Sequence, residues 1–340
     1  MIYVYYTRLI SILLMFFLLL NCVSCQKKYV TNLNNLKNKP TIDFLQPSDF
    51  CHYKLVEMNI HFMKLKEFGI DTIIIQNVAN FNSGKMEISY YDTSAPVKIK
   101  YANFLDMVFS AAQNTSMKVI LGLSFDEYWW NYKEHKYNED SIHIFLQNDL
   151  FILEELMTKY KPSGWYLSNE MYSNTLEYEK NWSYYINEII KYIDCFTSNI
   201  PLYISPFLKS SFKMTKNQTK KMWTEFLKNT NFREIDIFMP QDGYGNSSIR
   251  YSVNKENNIN MLNYMIWEVC KSNSKAKFYL NLQLLAKNGY ANIERIMHQI
   301  AFANEIAEGI ATFSISHYYI VDNSDCGKRY MDALNNYGGY

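Results

Sequence analysis

The residues of this sequence that best suit catalysis follow a short apolar segment, 163–171, which is predicted to be a strand that ends in Asn169 and Glu170. Hydrolysis of a glycosidic bond needs one carboxylic acid to protonate the leaving oxygen and a second carboxylate as nucleophile or base. Glu170 suits the first role, and Asn169 could hold a sugar hydroxyl beside it. Asp242 and Asp126 are the candidates for the second role, although Asp242 also fits an ordinary Asp-Gly turn. The alternative for Glu170 is a solvated or salt-bridged loop carboxylate.

Polar side chains also end the other predicted strands. The carboxyl ends of parallel strands in a barrel meet at one rim, so these side chains would share a cleft. The alternative is that any chain becomes polar where a strand emerges into solvent. The residues at the predicted strand ends are Gln46, Gln76, Asp126, Glu170, Ser205, Asp242, Gln283 and His317.

Aromatic side chains follow two of these strand ends. Trp129 and Trp130 come after the third strand, and Tyr318 comes directly after His317. Their rings either offer flat faces on which sugar C–H bonds stack or belong to the core. A lone histidine is more often structural than catalytic. We take these rings as candidate substrate-binding residues, together with Gln46, Gln76, Asp126, Asn169, Gln283 and His317.

The elements that must position these residues alternate regularly along the chain. Apolar segments rich in β-branched residues are separated by stretches with apolar residues at spacings of three and four, which is the pattern of amphipathic helices. This alternation predicts a parallel sheet, and eight units predict a single (β/α)8 barrel. An open, doubly wound sheet is the alternative. The predicted strands are 41–46, 71–76, 118–125, 163–171, 201–205, 236–240, 277–284 and 311–316.

The amino terminus resembles an export signal. The run 9–20 is apolar apart from one serine and is too short to span a bilayer as a helix. Small residues before Cys25 resemble a lipoprotein cleavage site, although Cys22 stands where leucine is usual. We expect a signal peptide at 1–24, a lipidated Cys25 and flexible linker at 25–39, and the barrel at 40–340. The alternative is ordinary signal cleavage near Ser24.

Composition excludes several classes of function. The formal net charge is +1 and no Lys/Arg-rich run occurs, so we expect no nucleic-acid partner. The cysteines lack zinc-binding spacing, and the sequence has no phosphate-binding or dinucleotide-binding motif, so we expect neither a metal nor a cofactor. We expect an exported monomer that a lipid attaches to the membrane of a bacterial cell envelope.

Seven short motifs cover almost the whole predicted mature domain, at 44–46, 65–76, 118–130, 164–170, 204–207, 241–243 and 316–318. Together they resemble an uncharacterised bacterial family of TIM-barrel proteins, catalogued as domain of unknown function 4434 and similar to glycoside hydrolases. The resemblance implies a carbohydrate substrate. It also places Glu170 at the acid/base position that ends strand four in retaining glycosidases.

The same resemblance implies a nucleophile at the end of strand seven, where relatives carry Glu and this sequence carries Gln283. An amide cannot form the glycosyl ester of a retaining mechanism. Three alternatives follow. Asp242 or Asp126 supplies the second carboxylate, with inversion if it lies roughly 6.5–9.5 Å from Glu170. The protein binds carbohydrate without hydrolysing it. Strand seven aligns with that of the family in a different register, so that Gln283 is not the counterpart of the nucleophile. The sequence therefore predicts a glycoside hydrolase of an oligo- or polysaccharide, with an inactive carbohydrate-binding lipoprotein as the alternative.

Overall fold

The computed structural model describes residues 38–126, 139–171, 178–197, 199–207, 215–245, 253–286, 289–320, 327–330 and 332. Eight parallel strands close into a barrel, and each strand pairs with the next one along the chain. Ile42 on the first strand lies opposite both Thr72 and Ala311, which closes the ring. The predicted (β/α)8 barrel is confirmed. Its strands are Ile42–Leu45 (β1), Thr72–Ile75 (β2), Lys118–Gly122 (β3), Gly164–Leu167 (β4), Leu202–Ile204 (β5), Ile237–Phe238 (β6), Lys277–Gln283 (β7) and Gly309–Phe313 (β8).

Helices connect consecutive strands, and their ends follow local sequence signals. Gly69, with a φ of 84°, follows the first crossover helix, in a backbone conformation that glycine adopts without strain. Thr215 and Gln218 form a reciprocal capping box at the start of the fifth. A short helical turn, Pro47–Phe50, follows β1. The crossover helices are Leu55–Glu67 (α1), Phe104–Thr115 (α2), Glu139–Met157 (α3), Tyr178–Phe196 (α4), Lys216–Asn229 (α5), Val253–Asn273 (α6) and Ile293–Ile306 (α7).

Two apolar layers hold the barrel together. Successive side chains of a strand point to opposite faces, so β1 directs Ile42 and Phe44 into the barrel and Leu45 towards the helices. The ring of Phe44 packs edge-on against Tyr166 at a centroid distance of 5.2 Å. Aliphatic and aromatic side chains together fill the interior, so a polar site must lie at the rim. In the described part of the chain, no helix is both long and apolar enough to cross a membrane.

The third predicted strand, 118–125, is wrong in one respect, because the structure divides it. The barrel strand ends at Gly122, and Ser124–Asp126 forms a separate strand that pairs with Ala79–Asn82 in a four-stranded side sheet. The physical reason is that Asp149 on α3 accepts the Ser124 backbone N–H at 2.7 Å, which takes this group out of the barrel ladder. The other strands of the side sheet are Lys85–Ser89 and Ile99–Lys100.

Every predicted strand runs past the observed strand at one end or both, and the fourth, predicted at 163–171, is observed only at Gly164–Leu167. β8 ends at Phe313, and a helical turn, Ser316–Ile320, follows it. Asp43 on β1 accepts the backbone N–H groups of Ile315 and Ser316, each at 2.7 Å, so this backbone turns towards β1 instead of extending the strand.

Candidate active site

A row of hydrogen-bonded side chains crosses the carboxyl rim of the barrel from β4 to β7. Glu170 lies three residues beyond β4, Gln241 lies three residues beyond β6, and Gln283 is the last residue of β7. Gln241 donates from Nε2 to Glu170 Oε1 at 2.7 Å, and Gln283 donates from Nε2 to Gln241 Oε1 at 2.8 Å. The backbone N–H of Gly245 donates to Gln283 Oε1 at 2.9 Å. We call Glu170, Gln241, Gln283 and the Gly245 N–H the amide row.

The amide row is open to solvent at its carboxylate end. Glu170 is half-buried, whereas Gln241 and Gln283 are 5% and 7% exposed. Tyr166 lies beneath Glu170 on β4; burial raises the pKa of Tyr166 well above its ordinary value, and the charge of Glu170 raises it further. Tyr166 therefore stays protonated beneath the site. A partly exposed carboxylate above an aromatic barrel floor can meet a polar ligand while keeping fixed protein partners.

Asp242 lies beside the row but is enclosed by protein. Its Oδ1 accepts the backbone N–H groups of Tyr244 at 3.1 Å and Gln283 at 3.2 Å, and its Oδ2 accepts from Gln299 on α7. The side chain is 2% exposed, and burial raises its pKa to about 6. The groups that these oxygens accept from lie beyond β6, at the end of β7 and on α7. This geometry favours a positioning role for Asp242 over the predicted catalytic role.

Asp126 binds a hairpin of the side sheet. Its two oxygens accept the backbone N–H groups of Ser83 at 3.2 Å and Gly84 at 3.1 Å, at the tip of the hairpin between Ala79–Asn82 and Lys85–Ser89. Both tip residues have positive φ angles, of 51° and 79°. Asp126 is 1% exposed. This geometry indicates that the carboxylate stabilises the turn.

Asn169, next to Glu170, is also enclosed. Its Oδ1 accepts the backbone N–H of Asp126 at 3.3 Å, and the residue is 2% exposed. Asn169 thus links the end of β4 to the side sheet. Its predicted contact with a sugar hydroxyl stays a prediction, and the observed contact suggests that it orients the backbone that carries Glu170.

The remaining predicted residues lie on the opposite arc of the rim or outside the described residues. Gln46 and Gln76 are half-buried directly after the neighbouring strands β1 and β2. His317 pairs through Nδ1 with Asp49 Oδ2 at 2.6 Å, and Tyr318 is half-buried beside it. Burial, and then the charge of Asp49, raise the pKa of Tyr318. Trp129, Trp130 and Cys25 lie outside the described residues.

Gln241, Gly245 and Gln299 are site residues that the sequence reasoning missed. Gln241 directly precedes Asp242, within a motif that drew attention only to its carboxylate. Gln299 could have been found from the sequence, because it is a polar residue on the apolar face of α7, between Ile296 and Ile300. In the structure it is 1% exposed. A polar group at such a position needs a buried partner, which is Asp242. In the residues that the structure describes, no group of three His, Cys, Asp or Glu side chains is suited to hold a metal ion.

The barrel and its rim define a class, the TIM-barrel proteins that carry a polar site at the carboxyl ends of their strands. Residues 44–325 match the model of the family described as Domain of unknown function (DUF4434). The chain belongs to this family, as its motifs indicated. None of the curated proteins matches the chain in sequence.

Solved structures of glycoside hydrolases share the fold. A putative α-L-fucosidase from Bacteroides thetaiotaomicron superposes with a TM-score of 0.65 and 18% identity, over 89% of this chain and 94% of that chain. An endo-β-1,4-mannanase from Thermotoga petrophila gives a TM-score of 0.54 and 11% identity, over 91% and 79%. A GH113 β-1,4-mannanase gives 0.56 and 11%, over 88% and 98%. At these identities the likeness establishes the fold.

Proposed function

We propose that the protein hydrolyses a glycosidic bond in an oligo- or polysaccharide, with Glu170 as the general acid. The observation that carries this proposal is the position of Glu170, which stands half-buried beyond β4 on the carboxyl rim and holds an amide donor on one oxygen. Active sites of TIM barrels lie at this rim. The fucosidase and the two mannanases among the structural relatives support a carbohydrate substrate.

Glu170 would donate its proton to the glycosidic oxygen as the bond to the anomeric carbon breaks, while a water molecule forms the new bond to that carbon and loses a proton to solvent. Oε1 of Glu170 accepts the side-chain amide of Gln241, which helps to orient the carboxyl group. The amide of Gln283 cannot form a glycosyl ester, and both oxygens of Asp242 accept hydrogen bonds from protein groups. Within the described residues, Glu170 is therefore the rim carboxylate best placed to act on a substrate.

The test is a screen of the purified chain from Gln26 onward for reducing-sugar release across a panel of polysaccharides and host glycans. Glu170→Gln keeps the size of the side chain but removes the acid, so release should fall by a factor of about 10² or more. Glu67→Gln, at an exposed position of α1, is the matched control and should leave release unchanged. Undiminished release by Glu170→Gln would refute the role of Glu170.

A second candidate function is carbohydrate binding without hydrolysis, and the specific observation in its favour is Gln283. Its amide ends β7 and is engaged at both polar atoms, to Gly245 and Gln241. This candidate predicts oligosaccharide affinity, measured by calorimetry, that falls on Trp129→Ala, while no substrate yields reducing ends. Release that depends on Glu170 would exclude it.

We also propose export and attachment to a bacterial membrane through a lipid on Cys25, as its small preceding residues suggest. Cys25→Ala should abolish incorporation of labelled fatty acid and move the protein from the membrane fraction to the soluble fraction. Cys51→Ala is the matched control. Equal incorporation into wild type and Cys25→Ala would contradict the proposal.

A further inference from the structure

The two ends of the amide row have opposite and fixed hydrogen-bonding character. A backbone N–H, here that of Gly245, only donates, and an ionised carboxylate, here Glu170, only accepts. The two glutamine amides between them could each point either way in isolation. Because Gly245 must donate to Gln283 Oε1, Gln283 must present Nε2 to Gln241, and Gln241 must then present Nε2 to Glu170. The orientation of the whole row is set from its far end.

We propose that the Gly245 backbone N–H, acting through Gln283 and Gln241, fixes the Gln241 amide as a hydrogen-bond donor to Glu170 Oε1, an arrangement that we call the lock. Gly245, Gln283 and Gln241 are then positioning residues for this carboxyl group. The inference deepens the proposed function and rests on it where it concerns catalysis, but the lock itself is a property of the free protein.

Close packing keeps the far end of the row in place. A Cβ atom added at Gly245 would lie 2.8 Å from Gln283 Cβ, 3.0 Å from its Cδ and 3.1 Å from its Oε1. No real Cβ contact is as short as the first of these distances, so any other residue at position 245 must displace the glutamine. The glycine therefore allows its own N–H to reach the amide oxygen.

The backbone of Gln283 is held as firmly as its side chain. Its N–H donates to Asp242 Oδ1 at 3.2 Å, and its carbonyl accepts from Arg295 Nη2 at 2.7 Å and Gln299 Nε2 at 3.3 Å. Arg295 and Gln299 both belong to α7, and Arg295 Nη2 also reaches the Leu285 carbonyl at 2.8 Å. The middle of the row is thus fixed to the outer wall of the barrel.

Other groups near the amide row influence the orientation of its amides or its charge. The carbonyl of Ser205 lies 3.5 Å from Gln241 Nε2, a long contact that also favours the observed orientation of this amide. Tyr166 from β4 is a titratable group that interacts electrostatically with Glu170, and Asp242 is the charged residue next to Gln241 in the chain. Arg295 contacts the row at the carbonyl of Gln283.

The lock has a measurable consequence for the titration of Glu170. An amide that is free to turn would donate to the ionised carboxylate and accept from the protonated acid, so it would favour both forms. A locked amide donates only, and hydrogen bonding to the charged form favours that form. Releasing the lock should therefore raise the titration midpoint of Glu170.

The experiment is a ¹³C NMR titration of glutamate side-chain carboxyl signals in the chain from Gln26 onward, without substrate. Glu170→Gln identifies the signal of Glu170 by its disappearance. We expect the midpoint to rise by about half to one pH unit in Gln241→Met, which removes the donor, and by roughly half a pH unit in Gln283→Met and Gly245→Ala. Gln113→Met, at an exposed position of α2, is the matched control and should leave the midpoint unchanged.

A midpoint that moves in Gln241→Met but not in Gln283→Met or Gly245→Ala would overturn the relay, since the donor would then be fixed locally. An unchanged midpoint in Gln241→Met would overturn the contact itself. If Gly245→Ala fails to fold, Gln283→Met decides the matter, because a thioether replaces the amide at similar size. A shifted midpoint together with silence across the glycan panel would retain the lock and refute only hydrolysis.

Discussion

The role of Asp242 can be tested through the pH dependence of folding. Burial raises its pKa to about 6 in the folded chain, against an ordinary value of 3.8. A carboxyl group with a raised pKa stabilises the fold fully below the unfolded value, and that contribution is lost as pH rises through the folded value. The loss approaches ~3 kcal/mol above pH 7, and ~2 kcal/mol of it falls between pH 4.5 and 7.5.

Asp242→Asn removes this titration but keeps the shape of the side chain. The new amide can still accept from Gln283 and Tyr244, whereas its NH2 group meets Gln299 Nε2, a second donor. Gln299 cannot simply turn round, because its Oε1 accepts from Arg295 at 3.1 Å. The mismatch should cost about 1–3 kcal/mol at pH 4.5, and the deficit should shrink by ~2 kcal/mol at pH 7.5.

Urea denaturation of the chain from Gln26 onward at both pH values measures these differences. Asp332→Asn, at an exposed position, is the control and should show little pH-dependent difference from wild type. A deficit in Asp242→Asn that is the same at pH 4.5 and 7.5 would refute the reasoning. Glycan hydrolysis abolished in Asp242→Asn with unchanged stability would instead restore Asp242 as the second catalytic carboxylate.

Three further substitutions test other parts of the rim. Gly122→Ala would place a Cβ 2.3 Å from the Gln76 carbonyl oxygen, so the free energy of unfolding should fall by more than ~3 kcal/mol. The loss would be measured as a lower soluble yield or a lower Tm. A Tm equal to that of wild type would contradict the packing. Asp126→Ala leaves two hairpin N–H groups without their acceptor and should lower the free energy of unfolding by about 1–3 kcal/mol. Amide hydrogen exchange across 79–89 should become faster. Unchanged exchange would indicate a different role for Asp126. Gln283→Glu places a second carboxylate in the row, so the titration midpoint of Glu170 should rise through like-charge repulsion. If the missing nucleophile is the only defect of the site, Gln283→Glu should also gain reducing-sugar release, and an unchanged midpoint would show that the two carboxyl groups do not interact.

The barrel could be predicted from sequence because each of its units carries a local signal. The apolar run of β2 and the three- and four-residue spacing in α1 are readable without knowledge of any other element. The division of 118–125 was not readable, because it depends on Asp149, 25 positions from Ser124. A strand boundary that is set by a distant side chain produces no periodic pattern in the local sequence.

The candidate site could be predicted only in part, for the same reason. Glu170 was found because a carboxylate after a buried strand is unusual by itself. Gln241 and Gln283 join it only through the register of β6 and β7, which places position 241 opposite Asn281. A glutamine in a loop carries no sign of what its amide faces, so the amide row emerges only when the strands are assembled.

Acidic residues near the strand ends of this barrel divide by what their oxygens bind. Asp43 accepts the N–H groups of Ile315 and Ser316, Asp149 accepts that of Ser124, and Asp242 accepts those of Tyr244 and Gln283. Each of these three is fully buried, and burial raises the pKa of each to about 6. They tie backbone segments together where the ladder of the barrel ends. Glu170 is half-buried and accepts the side-chain amide of Gln241. Asp43 lies within β1, Asp149 within α3 and Asp242 beyond β6, so these three carboxylates share their backbone N–H donors and not their position in the sequence pattern.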